Sequence, residues 1–554
     1  MLRPGHFFRH DKTAEVITNH PVILTIAVCI AWTLFGLTGH DPWKSEEAVF
    51  MGHLSQLKDT SFYFELLGLE EIPLAGPLFY AASLGFIELF SPLLAAHDAA
   101  RLTMAIWLLS TFLFVGLTAN ELWGRSQSWL APLLLLGSVG LIVKSHQISA
   151  TPLLMAGLSI FFYGLSLAPR LSIIGGLWLG AGTSIIVLGT TIQNIFIPIV
   201  TITLIALANF RYRGFRFLNS LCIGALVTLV LVGIWLIVLY QFDPSLPLLW
   251  IPYAWDGAFH LFRSPSLDDL AYPLSIFPWF TWPTWIFVFW SIWIEGRDGL
   301  KRKELQLPIM LLISLMLVLG FTGINKESGL APILLPLALI GSIAATRIPR
   351  GAGNALYWFA VMTALFFTIA AWIYFSASHF GFPQELSAHL SNLQPGYQPG
   401  NRIIGILIGA VMSITWFLLL FNLKRRPERS VVIWAINLTF GWMLAVILLF
   451  HWIDERKTYA PMVKSIMLQL DAEHDCIITQ VGPAQRGLIQ YFGGIETTNI
   501  YLDNNSQNCN YLIYQDRQDD DNHIGAPWEL IWEGGRSGDR DERYRLYKRD
   551  SRPK

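Results

Sequence analysis

The sequence predicts a polytopic α-helical membrane protein that carries a small C-terminal α/β domain. Hydrophobic residues make up 53% of the 554-residue chain and charged residues only 14%, where a soluble domain carries about 25% charged residues. Mean hydropathy is +0.48, and the apolar residues fall in long runs. The charge is also unevenly spread: from His451 onward the chain holds 17 Asp+Glu and 13 Lys+Arg. An ordinary soluble enzyme is excluded. A net charge of −1 also gives nucleic acid no basic surface to bind. The chain therefore divides into a membrane domain, 1–451, and a soluble tail, 452–554.

A spanning helix needs about 20 apolar residues. Runs of that kind begin near Pro21, Arg101, Trp129, Pro152, Leu171, Thr191, Leu218, Leu274, Leu307, Gly329, Ala355, Ile403 and Val431. A further stretch, Leu74 to Leu94, contains Pro73, Pro77 and Pro92 at or inside its ends and carries Glu88, so it reads as a helix lying along the surface. Loop charge decides between the two counts, because Lys and Arg accumulate in cytoplasmic loops. With thirteen spans and the N-terminus inside, 18 basic residues fall inside and 7 outside before the tail. Counting Leu74–Leu94 as a span would place nearly every later basic cluster outside. The tail then emerges on the outer side, and outer juxtamembrane helices are expected in 42–94 and 376–401. No small-residue cleavage site follows the first run, which reads as a retained anchor. No paired broken helices of the kind that mark transporters are apparent.

Within the tail, Tyr459–Leu470 suits an amphipathic helix, Cys476–Gln480 a strand, and Pro483–Phe492 a helix ended by Gly493-Gly494. Tyr511–Tyr514, Trp528–Trp532 and Tyr544–Tyr547 read as further strands. Asp516–Asn522 reads as a solvated acidic loop. Of four cysteines, Cys29 and Cys222 sit in apolar runs, while Cys476 and Cys509 lie in the tail and can pair in an oxidising compartment.

The residues that can carry chemistry cluster outside. Asp41, at the exit of the first span, suits a general base or an N-cap before Pro42. Glu46 and Glu47 follow on a short helix. Arg101, Arg263 and Lys326 are cations on the basic-poor side, with a snorkelling helix end as the plain alternative for Arg101. Trp279, Trp282 and Trp285 suit an interfacial aromatic belt better than a sugar platform.

The order of these features resembles the GT-C glycosyltransferases, in particular the bacterial aminoarabinose (lipid A) transferases and the protein O-mannosyltransferases. The resemblance rests on Asp41-x-x-x-x-Glu46 after the first span, Glu71-Ile72-Pro73-Leu74 with Phe79-Tyr80, and Ala99-Ala100-Arg101-Leu102. It continues in His260-Leu261-Phe262-Arg263 with Pro278-Trp279, and in Asn325-Lys326 with Pro332 and Pro336. It implies transfer of a sugar from a polyprenyl-phosphate donor to a lipid, glycan or protein acceptor on the outer side, by a monomer among membrane lipids. Asp41 is then the base, with Glu46 beside it, and Arg101, Arg263 and Lys326 hold the donor phosphate. Glu71 and His260 match positions that can hold a divalent metal in relatives.

The departures are specific. Ile72 stands where the family has a lysine that grips the phosphate. No carboxylate lies in the second outer loop near Ser149–Leu153, where the polar residues are His146 and Thr151. Leu188-Gly189-Thr190 replaces another lysine. Two alternatives follow: a catalytically altered relative that binds or presents a lipid-linked sugar, and a lipid flippase or transporter.

Overall fold

The computed structural model describes residues 21–59, 75–242, 244, 247, 267–322, 327–422, 426–471, 477–495, 497–499, 509–516, 524–525, 527–537, 539 and 542–549. Each expected apolar run is a helix or a succession of helices, from Pro21–Leu34 to Arg429–Lys457. Among the described residues, seven helical stretches have the length and hydropathy of a membrane span. The Phe215–Phe242 and Ile403–Asn422 helices leave Leu229 70%, Leu226 62%, Ile404 74% and Val411 62% exposed. Apolar faces of that extent are tolerated only against lipid, so the chain is a multi-pass membrane protein. Neighbouring spans meet at small residues, as membrane helices do in the absence of a hydrophobic drive between them. A Cβ added to Gly182, for example, would lie 2.3 Å from the Phe161 backbone nitrogen.

The Pro77–Phe90 helix has 14 residues, about 21 Å at 1.5 Å per residue, well short of a hydrocarbon core of about 30 Å. Its buried Phe79, Tyr80 and Ile87 join Phe50, Met51 and Leu54 of the Glu46–Asp59 helix, together with Ala99, Ala100 and Met104. The first outer loop thereby forms a helical cap over the start of the Ala96–Trp123 helix.

Two spans are broken, and the breaks face each other. The run after Trp129 is helical over Leu130–Gly137, stops at Ser138, and resumes as a short 3-10 turn and the Ile142–Ser145 helix. Opposite it, the Leu267–Phe280 and Thr284–Gly299 helices are separated at Pro283. Val139 N–H donates to Trp282 O at 3.0 Å, and the Ser138 and Thr284 hydroxyls lie 2.7 Å apart. The expectation that no paired broken helices exist is thus corrected: backbone groups freed within the membrane are satisfied by the opposing break. Trp282 is placed here, packed against Phe359 and Trp434 beside an apolar cavity, and not in an outer belt.

The tail is a five-stranded mixed sheet, β1 (Ile477–Gln480), β2 (Thr497–Asn499), β3 (Tyr511–Asp516), β4 (Trp528–Gly534) and β5 (Arg543–Arg549), in the order β2-β1-β3-β5-β4. β1 pairs parallel with β2 and β3, and β5 pairs antiparallel with β3 and β4. The Pro483–Gly493 helix ends at Gly494 in the left-handed region (φ 62°), as the Gly-Gly pair predicts. The short β2 was not anticipated. Cys509 is disulfide-bonded, and Cys29 and Cys222 are free; Cys476 lies outside the described residues.

The tail docks on the first outer loop. Ala48 of the Glu46–Asp59 helix is part of the tail's own core, with Tyr459, Val463, Leu488 and Ile489. Contact is closest at two glycines: a Cβ on Gly487 would lie 2.2 Å from Ala48 O, and one on Gly52 2.5 Å from Gly487 Cα. Gly487→Ala is therefore expected to force the two helices apart and destabilise the docked tail by about 1–3 kcal/mol, the range of overpacking. Thermal unfolding and limited proteolysis of the purified protein check this. Unchanged melting and an unchanged cleavage pattern would refute the contact.

Candidate functional site

Arg101 organises the exit of the first span. Its side chain is fully buried, 0% exposed. Nε donates to Glu47 Oε1 at 2.6 Å, and Nη1 to Asp98 Oδ1 at 3.0 Å and to the His40 carbonyl at 2.6 Å. Nη2 donates to the Asp41 carbonyl at 3.1 Å. Asp98 in turn accepts Gly39 N–H at 3.1 Å, where φ is +87° and glycine carries no steric penalty. The guanidinium therefore ties the 37–41 backbone to two carboxylates. Arg101 was expected at the donor phosphate; here its Nε and Nη1 donate to protein acceptors, and Nη2 donates to the Asp41 carbonyl, so it also positions the loop.

Glu47, also 0% exposed, carries the network onward: the carboxylate oxygen bound by Arg101 accepts Ile148 N–H at 3.3 Å. A carboxylate thus does reach the second outer loop, but from the first loop. Among the described residues its other oxygen, Oε2, has no hydrogen-bond partner. His146 of that second loop is buried structurally, donating from Nε2 to Trp32 O at 2.8 Å and stacking on Trp442. Glu46 stands half-buried in the first turn of its helix, beside Glu47.

Asp41 is half-buried and held at three points. Its carbonyl is bound by Arg101. Its N–H donates to Asp454 Oδ1 at 3.0 Å. Its Oδ2 accepts the Thr458 hydroxyl at 2.5 Å. Among the described residues nothing partners Oδ1. His40 is pushed down to about 3 by burial and by the Arg101 charge, so its ring is neutral at physiological pH. Its Nδ1 lies 2.8 Å from the Asp41 carbonyl oxygen, which can only accept, so Nδ1 donates.

The end of the Arg429–Lys457 helix completes this arrangement. Asp454, Lys457 and Thr458 recur at i, i+3 and i+4, so one face turns all three toward the first loop. Trp43 Nε1 donates to Asp454 Oδ1 at 2.8 Å, and Lys457 Nζ lies 4.4 Å from the Trp43 ring centroid. Lys44 is held by Glu542 of the tail, which also accepts from the Tyr459 and Tyr544 hydroxyls at 2.7 and 2.8 Å.

Of the residues singled out in the sequence, Asp41 and Arg101 come together, and Glu46 lies on the adjoining helix. Arg263, Lys326, Glu71, His260 and Ile72 lie outside the described residues. Among the described residues no group of three or more His, Cys, Asp or Glu gathers as a metal site. The reading named Glu47 without assigning it a partner, and missed Asp98, Asp454 and Thr458. Asp454 carried the signal that singled out Asp41, an acid where an apolar helix leaves the membrane.

No family model matches the chain, and no curated protein matches it by sequence. Among solved structures, the chain is similar to ArnT from Cupriavidus metallidurans bound to undecaprenyl phosphate. That likeness has a TM-score of 0.66 and 13% identity, covering 96% of this chain and 98% of that one. Against the apo state of ArnT the TM-score is 0.63 and the identity 15%, over 87% of this chain and 86% of that one. The two chains share the GT-C fold from the first span through the C-terminal domain.

Proposed function

We propose that the protein is an integral-membrane glycosyltransferase that moves a sugar from a polyprenyl-phosphate donor to an acceptor at the periplasmic face. The observation that carries this reading is Asp41: backbone N–H, backbone C=O and Oδ2 are all held, and Oδ1 is left to act. In the step, Asp41 Oδ1 takes the acceptor hydroxyl proton. The acceptor oxygen bonds to the anomeric carbon, and the bond from that carbon to the phosphate oxygen breaks, releasing polyprenyl phosphate. The shared fold with a protein solved with undecaprenyl phosphate supports the donor class. The tail disulfide at Cys509 and the distribution of basic residues support a periplasmic tail on a thirteen-span protein in the inner membrane. In this reading Lys326 and Arg263 hold the leaving phosphate, Glu46 lines the acceptor side, and the protein works as a monomer. Glu71 and His260 are the residues that would hold a divalent metal in this reading.

The test is transfer of label from undecaprenyl-phosphate-linked mannose, glucose or aminoarabinose into membrane acceptors, with and without the protein. Label that moves only with the protein supports the reading, and no turnover with any donor contradicts it.

The second reading is a lipid flippase or transporter. It is favoured by the facing breaks at Ser138 and Pro283, a feature of transporter binding sites. Cysteines placed at positions 138 and 282 that react alternately from the two sides of the membrane would support it.

A further inference from the structure

We propose that Asp454 and Thr458, at the seam between the last membrane helix and the tail, are positioning residues for Asp41. The inference rests on the transferase reading above. The two side chains hold different parts of one residue. Asp454 Oδ1 accepts both Asp41 N–H at 3.0 Å and Trp43 Nε1–H at 2.8 Å, fixing the backbone on either side of Pro42. Thr458 accepts Ala460 N–H at 3.1 Å, so its own proton is directed to Asp41 Oδ2 at 2.5 Å. That polarity makes Oδ2 an acceptor and turns Oδ1 outward.

The same threonine opens the Ala460–Met467 helix, whose Met462, Val463 and Ile466 lie in the tail core. The carboxylate's aim is thereby coupled to docking of the tail, a link spanning 417 residues of sequence. Acceptance of the Ala460 N–H by the Thr458 hydroxyl, one residue before the Tyr459 N-cap, is ordinary helix-start chemistry. The second bond, to the carboxylate of a distant loop, is not needed for that.

The charged and titratable groups facing Asp454 are Asp41 from the first loop and Arg101 from the Ala96–Trp123 helix, with the Trp43 indole as donor. Asp41 disfavours the ionised form of Asp454, and Arg101 favours it. Removing the Asp41 charge therefore stabilises ionised Asp454 and lowers its midpoint.

Two measurements on the full-length protein in nanodiscs test the inference. The first needs no substrate: carbodiimide modification of Asp454 is followed by mass spectrometry across pH. Asp41→Asn is expected to move the midpoint of modification below that of wild type by about one pH unit. An unmoved midpoint overturns the inference, because the two carboxylates would not face each other. The second is turnover of the labelled undecaprenyl-phosphate sugars. Asp454→Asn and Thr458→Ser keep the acceptor or donor atom and are expected near wild-type kcat. Asp454→Ala and Thr458→Val are expected to lose about tenfold or more in kcat, with KM within about twofold. If Asp41→Asn is inactive while the Ala and Val variants fold and turn over at the wild-type rate, this inference alone is overturned. If Asp41→Asn itself turns over normally, the transferase reading falls, and the positioning role falls with it.

Discussion

Asp41→Asn is expected to reduce sugar transfer by about 10²- to 10⁴-fold, the range associated with loss of a positioned general base. Folding should be preserved. The Asp41 N–H and C=O still reach Asp454 and Arg101, and an amide oxygen at the Oδ2 position still accepts from Thr458. What changes is the basicity of the outward-facing atom, so the loss should appear in kcat, with donor affinity little altered. Asp41→Glu makes a useful companion. It restores a carboxylate but moves it by one methylene, and it cannot keep both the Thr458 bond and the original aim. Single-turnover transfer in nanodiscs, with melting temperature measured alongside, checks both variants. Full activity in Asp41→Asn would remove Asp41 from the chemistry.

Arg101→Met is expected to destabilise the protein by about 3–5 kcal/mol, as breaking one side of a fully buried ion pair does. The substitution leaves Glu47 buried with neither oxygen near a cation, and it frees the carbonyls of His40 and Asp41. Arg101→Lys should fare little better, because one ammonium cannot reproduce donors aimed at a carboxylate, a second carboxylate and the loop backbone. A partial rescue by Glu47→Gln in the Arg101→Met background would show that the uncompensated charge is the main cost. The informative contrast is with a phosphate-binding role. Loss of undecaprenyl phosphate binding with unchanged thermal unfolding would return Arg101 to the donor, whereas loss of folding assigns it to the loop.

The local parts of the architecture were legible in the sequence because their causes are local. Apolar runs give spans, and Gly493-Gly494 ends a helix through a left-handed residue at Gly494. The tail strands β1, β3, β4 and β5 follow from β-branched and aromatic clusters. The three-residue β2 carries too little pattern to be seen. The break at Ser138 was hidden because the flanking residues stay uniformly apolar. Only the opposing Trp282 carbonyl and Thr284 hydroxyl make an interruption tolerable there. At the candidate site, Asp41 and Arg101 were found by residue type and place, but the hold of Arg101 on the first loop's backbone was not. A guanidinium at a helix start reads alike whether it faces a phosphate or a folded-back loop. Asp454 and Thr458 stayed invisible for a related reason. They lie in the last membrane helix and its exit, and their partner is 413 and 417 residues away. Sequence pattern registers a helix face but not what the face meets.

The central claim is that Asp41 Oδ1 faces the place where a lipid phosphate carries its sugar. A cryo-EM map of the protein in nanodiscs containing undecaprenyl phosphate tests it most directly. The account predicts phosphate density in a hollow that opens onto Asp41, separated from Oδ1 by the width of one sugar ring, with Asp454 and Thr458 still bound to Asp41. Phosphate seated in a crevice that does not communicate with Asp41, or an Asp41 carboxylate turned with both oxygens into the protein, would contradict it.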